Sequence, residues 1–225
     1  MQAINEKMNR IFNSKKFNVI AFVLIAGLIL IAYSNTLHAT FHFDDNPAIV
    51  ENASIKRMTW DNFVTQLVGT RPVVGLSLML NYQLSGLNVV GWHIFNIAVH
   101  IANGYLVYLL ILWTLSVPVL SAQYGDRARR MALFGALLFS VHPIQTESVT
   151  YIITRSELLA TFFYLATFFL FIQGVRKNKL RYFIAAFFTS LCSMASKQWA
   201  VTLPAMLFLY DVIFLSEGKL KPAMS

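Results

Sequence analysis

Two neighbouring carboxylates, Asp44 and Asp45, stand in the run FHFDDNP at positions 41–47. A carboxylate can accept a proton from a hydroxyl as that hydroxyl attacks an electrophile, so the pair is a candidate for general-base chemistry. Adjacent carboxylates repel, and on extended backbone their side chains point to opposite sides. Only one of the two is therefore expected to face a given substrate atom. Asn46 is placed to cap a short helix starting at Pro47, whose N-terminal dipole would favour carboxylates beside it. The plainer account of the pair is a solvated loop with a capping role.

A second group gathers in HPIQTE at 142–147 and in Arg155-Ser156-Glu157. It brings His142, Glu147, Arg155 and Glu157 into one short stretch, and Lys197 and Arg71 add further cations. An arginine holds a phosphate by a bidentate fork and a lysine holds it as a point charge. The plainer account here is a set of anchors at a membrane edge.

His93, Asn96, His100 and Asn103 recur at spacings of three, four and three, which places them on one helical face. Seven residues of helix separate the two histidines by roughly 10 Å. Ligands of one zinc ion must lie at about 2 Å from it, so a polar packing face is expected rather than a metal site. Asp211 reads as a structural hydrogen-bond partner. Asn52-Ala53-Ser54 is a glycosylation sequon of little weight. A Gly-rich phosphate loop, an HExxH helix and a nucleophile elbow are all absent, and neither metal nor cofactor is expected.

The elements that must position these residues are set by composition. Of 225 residues 57% are apolar and only 12% are charged, about half the usual share for a soluble domain. The apolar residues come in blocks, which suits a membrane and no water-facing surface. Six spans are expected, at roughly 17–36, 91–117, 131–142, 156–175, 180–196 and 198–215. The third and fifth are short and are expected to extend into their flanks or to tilt. The first follows Lys15-Lys16, lacks a small-x-small cleavage site, and reads as a retained span.

Arg71–Gly86 has proline suited to a first turn and glycine suited to an end, with Asn81, Tyr82 and Gln83 interrupting it. Charge parity makes it interfacial. With this segment outside the membrane core, 13 of the 18 basic residues fall on one side, as the positive-inside rule requires. If it spanned, that bias would reverse. The expected organisation is a cytoplasmic segment 1–16, a transmembrane domain 17–215 with an outer loop 37–90, and a cytoplasmic tail 216–225. The carboxylates then lie on the non-cytoplasmic side. Net charge is +8, yet the cations cluster between apolar blocks and form no stripe with aromatics, which argues against a nucleic-acid partner. Cys192 stands alone, which excludes an internal disulfide.

The runs YSNTLHATFHFDDNPAIVEN, TRPVVGLSLMLNYQLSGLNVVGWHIFNIAVH, LLFSVHPIQTESVTYIITRSELLA and ASKQWAVTLPAMLFLYD keep one order along the chain. Together they resemble the membrane part of the transmembrane and tetratricopeptide-repeat-containing O-mannosyltransferases and their bacterial relatives, of the GT-C superfamily. The resemblance implies an all-α polytopic enzyme in a bacterial inner membrane or the endoplasmic reticulum. It would move a sugar, mannose-like, from a polyprenyl-phosphate carrier to a protein or glycan hydroxyl, with inversion. By the same resemblance Asp44 or Asp45 is the base. Arg71, Arg155 and Lys197 face the departing phosphate, with His142, Glu147 and Glu157 beside the substrate.

The chain departs from the family in two ways. It ends in KLKPAMS after six expected spans and shows no 34-residue repeat, so a fragment or reduced relative is expected. It also has Lys197-Gln198 where many relatives have Lys-Glu, which removes one acidic partner. The competing readings are an inactive scaffold and a transporter. A transporter would place charges at the bilayer midplane on broken helices in matched halves, and no such halves are visible.

Overall fold

The computed structural model describes residues 15–215. The expected cytoplasmic cations Lys7 and Arg10 at one terminus, and Lys219 and Lys221 at the other, lie outside the described residues. Every regular element among the described residues is helical. Helix α1 (Lys15–Tyr33) runs on into a 3-10 turn, Ser34–His38. The long loop then holds a π turn (Asn46–Val50) and helices α2 (Ala53–Lys56), α3 (Trp60–Leu67) and α4 (Pro72–Ser85). Next come α5 (Val89–Thr114), α6 (Pro118–Tyr124), α7 (Ala128–Val141) and α8 (Thr146–Thr150). Helices α9 (Arg155–Lys177), α10 (Leu180–Met194) and α11 (Leu203–Tyr210) complete the order, α11 lying between a 3-10 turn and a π turn.

Among the described residues four stretches are long and apolar enough to cross a bilayer: Lys15–His38, Val89–Thr114, Ile152–Lys177 and Gln198–Leu215. The chain is an integral membrane helix bundle. The other two expected spans become α7 and α10, of 14 and 15 residues. At 1.5 Å per residue they reach about 21 and 22 Å, short of the roughly 30 Å hydrocarbon core. Helix α7 does extend three residues into its N-terminal flank, whereas α10 stops at Met194.

The helices alternate in direction. At one end Arg129 lies over the Phe17 ring at 5.9 Å, Tyr108 donates to Asn18 at 2.9 Å, and Arg176 lies over Trp113 at 3.9 Å. The start of α1, the end of α5, the start of α7 and the end of α9 therefore share one rim, which carries the basic clusters. The long loop and the short loop 142–154 share the other.

Helix α4 begins with Pro72 and stops at Gly86, whose φ of +53° is open to glycine at little cost. Its Val74 is buried with Ile49, Ile55 and Ile152, and its end is held by Trp92 Nε1–H donating to the Gly86 carbonyl at 3.0 Å. Both ends of α4 thus stay at the loop rim.

Helix α5 is the centre of the bundle. Its two histidines and two asparagines are all buried, and each bonds a main-chain carbonyl of a different neighbour. His93 Nε2 meets Ala39 O at 3.0 Å, and Asn96 donates to Ile152 O at 3.3 Å. His100 Nε2 meets Ser140 O at 2.9 Å, and Asn103 donates to Leu158 O at 3.0 Å. The expected polar packing face is therefore present. Gly104, on the same helix, leaves no room for a β-carbon, which would come within 2.6 Å of Ser140 Oγ and 2.9 Å of Ile25. This close approach lets α1 and α7 lie directly on α5, each with one small or branched residue per turn: Ala21, Ile25 and Ile29 on α1, Ala128, Ala132 and Ala136 on α7.

Candidate functional site

The acidic turn folds on itself before it meets anything else. Asp45 N–H donates to His42 O at 3.0 Å and Asn46 N–H to Phe43 O at 3.1 Å. Closing so tight a turn puts Phe43 in the left-handed region, with φ of +46° and its ring 82% exposed. The helical turn that follows begins at Asn46 itself, and Asp45 precedes it without a side-chain cap. Asn46 is thus not the cap expected from the sequence. Asn52 is the asparagine that caps, accepting from Ser54 N–H at 3.0 Å at the start of α2.

The turn separates the two carboxylates. Asp45 is fully buried; its Oδ1 accepts from Ile153 N–H at 2.9 Å and its Oδ2 from His42 N–H at 3.3 Å. Burial pushes this carboxyl above the ordinary aspartate range, although the two N–H donors and the nearby His42 and His93 pull the other way. Asp44 is exposed. Its main-chain N–H donates to the Tyr151 hydroxyl at 2.8 Å, which leaves the phenolic hydrogen available to an acceptor. The His42 ring stacks on Tyr151 with centroids 5.1 Å apart and planes 15° from parallel. Asp44, His42 and Tyr151 thus form one open surface, with Asp45 as its buried foundation.

Arg155 differs from expectation. It was expected to hold a phosphate, but it is fully buried, with Nη2 donating to Asn81 Oδ1 at 2.8 Å and Nη1 to Ser77 O at 3.4 Å. Its guanidinium lies over the rings of Phe95 at 4.4 Å and Trp92 at 5.0 Å. Aromatic faces attract the cation and cover it, so the group joins α9 to α4 and α5 and is closed to a ligand in this structure.

Lys197 and Glu157 meet at 2.9 Å, and Trp199 Nε1–H donates to the other Glu157 oxygen at 2.7 Å. The acidic partner of Lys197 thus comes from α9, whatever residue 198 is. Both side chains remain about a quarter to a third exposed. Arg71 is half-buried immediately before α4. His142 and Glu147 are exposed; His142 Nδ1 accepts from Ile144 N–H at 3.2 Å and so shapes the short loop. Among the described residues no three His, Cys, Asp or Glu side chains converge as a metal-ligand set.

Sequence reasoning did not single out His42, Tyr151 or Trp199, and it met Asn81 only as an interruption of the Arg71–Gly86 segment. Tyr151 lies 107 residues from the backbone it supports, and only the tertiary fold reveals the pairing. An apolar cleft of about 420 Å³ opens where α1 meets α5, lined by Leu30, Leu37, Ile94, Ile97 and Ile101.

No family model matches, and no solved structure matches. The chain is 29% identical over 225 residues to protein O-mannosyl-transferase tmtc2 of Xenopus laevis, covering 92% of this chain and 26% of that one. It is 30% identical to human protein O-mannosyl-transferase TMTC2 (90% of this chain, 25% of that one) and 25% identical to human TMTC4 (88% and 30%). The chain therefore spans between a quarter and a third of the length of these curated relatives. Over about nine tenths of its length it is a homologue of the protein O-mannosyl-transferases.

Proposed function

We propose that this chain carries the acid–base centre of a multi-pass membrane glycosyltransferase, with Asp44 as the general base. The observation that carries this reading is the division of labour in the acidic turn: one carboxylate is buried and bonded, the other open beside Tyr151. The basic rim faces the cytoplasm, as cationic loop clusters do, so Asp44 works on the opposite side.

The donor is a mannose-like sugar on a polyprenyl phosphate, and the acceptor is a protein or glycan hydroxyl. The acceptor oxygen attacks the anomeric carbon from the face opposite the phosphate as Asp44 takes its proton. The glycosidic C–O bond to the phosphate breaks, and the departing polyprenyl phosphate keeps the electron pair, so the configuration inverts. Charge grows on that phosphate in the transition state, and Lys197 and Arg71 are the cations assigned to meet it. Glu157 holds Lys197 in place until the phosphate arrives. The apolar cleft between α1 and α5 suits a hydrocarbon tail. Arg155 contributes by fixing the frame.

The test is transfer of labelled mannose from polyprenyl-phosphate mannose, in membranes containing the full-length protein, to a hydroxyl-bearing peptide. Asp44→Asn is expected to abolish transfer at unchanged protein level. Transfer equal to the unmodified chain would remove Asp44 from the mechanism.

A further inference from the structure

Helix α7 carries a feature that the reaction does not use. At its start Arg127 and Arg130 are exposed and, with Met131 and Phe134, line a recess of about 400 Å³. Beyond it the outward face continues through Phe134 (70% exposed), Leu138 and Val141, one residue per turn. Two cations thus head an open apolar strip that runs the length of the helix. The opposite face of α7 is filled by its alanines against the bundle, so the strip has no protein partner among the described residues.

Helix length adds a second argument. At about 21 Å, α7 is shorter than the hydrocarbon core, so its end cannot reach the ordinary headgroup level. A lipid whose phosphate comes down to the arginines relieves that mismatch, as local thinning does. We infer that this strip is a binding site for an anionic glycerophospholipid, whose phosphate pairs with Arg127 and Arg130 while an acyl chain lies along Met131, Phe134 and Leu138. The charge pattern favours a lipid over a second protein helix, because a basic head on an apolar strip matches the acidic head and apolar chain of one molecule.

The test uses the full chain reconstituted in phosphatidylcholine vesicles with trace nitroxide-labelled phosphatidylglycerol or phosphatidylcholine. The motion-restricted fraction of each label reports binding. The unmodified chain is expected to prefer phosphatidylglycerol, and R127Q/R130Q to lose that preference by roughly 5-fold for each arginine. F134A is expected to lower the restricted fraction with the charges intact. K179Q/R181Q removes equal charge from the same rim and is expected to leave the preference unchanged. An equal loss in that control would mean bulk surface attraction and overturn the site, as would a preference that survives R127Q/R130Q. Efficient disulfide crosslinking of two chains through F134C, in a C192S background, would show a second copy on the strip and also overturn it.

Discussion

The Ile153 amide donates to the Asp45 carboxylate at 2.9 Å, joining the acidic turn to the residues that open α9. These partners are 108 positions apart, and through them the turn takes its orientation from the bundle rather than from its own loop.

Asp45→Ala removes the acceptor of two N–H groups, those of Ile153 and His42. An unmet buried donor costs about 1–3 kcal/mol, so the loss is expected to be on the order of 2–4 kcal/mol. Asp45→Asn keeps one acceptor and should lose about half as much. Thermal unfolding in detergent measures both, and equal stability of Asp45→Ala and the unmodified chain would contradict the burial argument.

Burial also gives Asp45 a signature in pH. Its carboxyl titrates above the ordinary aspartate range in the folded protein. Below the unfolded-state value both states are protonated, and this stabilisation is fully present. As pH rises through the folded value the bundle must hold a buried carboxylate, and the stabilisation is lost. The stability of the unmodified chain relative to Asp45→Asn should therefore fall as pH rises through and above the ordinary aspartate range. A difference that grows with pH over that window would reverse the assignment.

Arg155 is held by geometry that lysine cannot reproduce. Arg155→Lys keeps the charge but loses the planar stack on Phe95 and Trp92 and the two-nitrogen grip on α4. It is expected to destabilise by about 2–4 kcal/mol, from a charged hydrogen bond and a buried cation–π contact together. Arg155→Met removes the buried charge and keeps the stem, so it should unfold at a higher temperature than Arg155→Lys. The order of the two melting temperatures decides the matter.

The Glu157–Lys197 pair is partly exposed, so its contribution to stability is at most about 1 kcal/mol. Its effect on transfer is expected to be larger. Lys197→Met should lower kcat/KM by on the order of 100-fold if this cation meets the leaving phosphate. Glu157→Gln frees the lysine and should alter the apparent affinity for the lipid donor more than kcat. Steady-state kinetics with varied polyprenyl-phosphate mannose separates the two.

Much of this architecture is legible in the chain. Pro72 and Gly86 mark both ends of α4, and the three-four-three spacing on α5 announces its buried polar face. Composition gives the membrane, and charge parity keeps α4 at the rim. The burial of Arg155 is not legible, because its partners Asn81 and Ser77 lie 74 and 78 residues away, and a cation at a span's edge normally reads as an anchor. The separation of the two carboxylates has another origin than the one the sequence suggests. Opposed side chains were expected from extended backbone, whereas a tight turn with Phe43 at positive φ produces the division. The shortness of α10 is set by a turn at Ala195–Ser196 that no proline or glycine signals.

The polar face of α5 has a consequence for how the chain can diverge. Its four side chains all bind carbonyls of the backbone, which every residue type supplies. The neighbours at 39, 152, 140 and 158 can therefore drift in sequence without breaking these bonds, while α5 itself cannot. A saturation mutagenesis screen of the bundle should find intolerance to almost any exchange at His93, Asn96, His100 and Asn103, whereas the buried positions 140, 152 and 158 should accept side chains of matching size and polarity. The grammar of assembly is written on one helix and read by the rest.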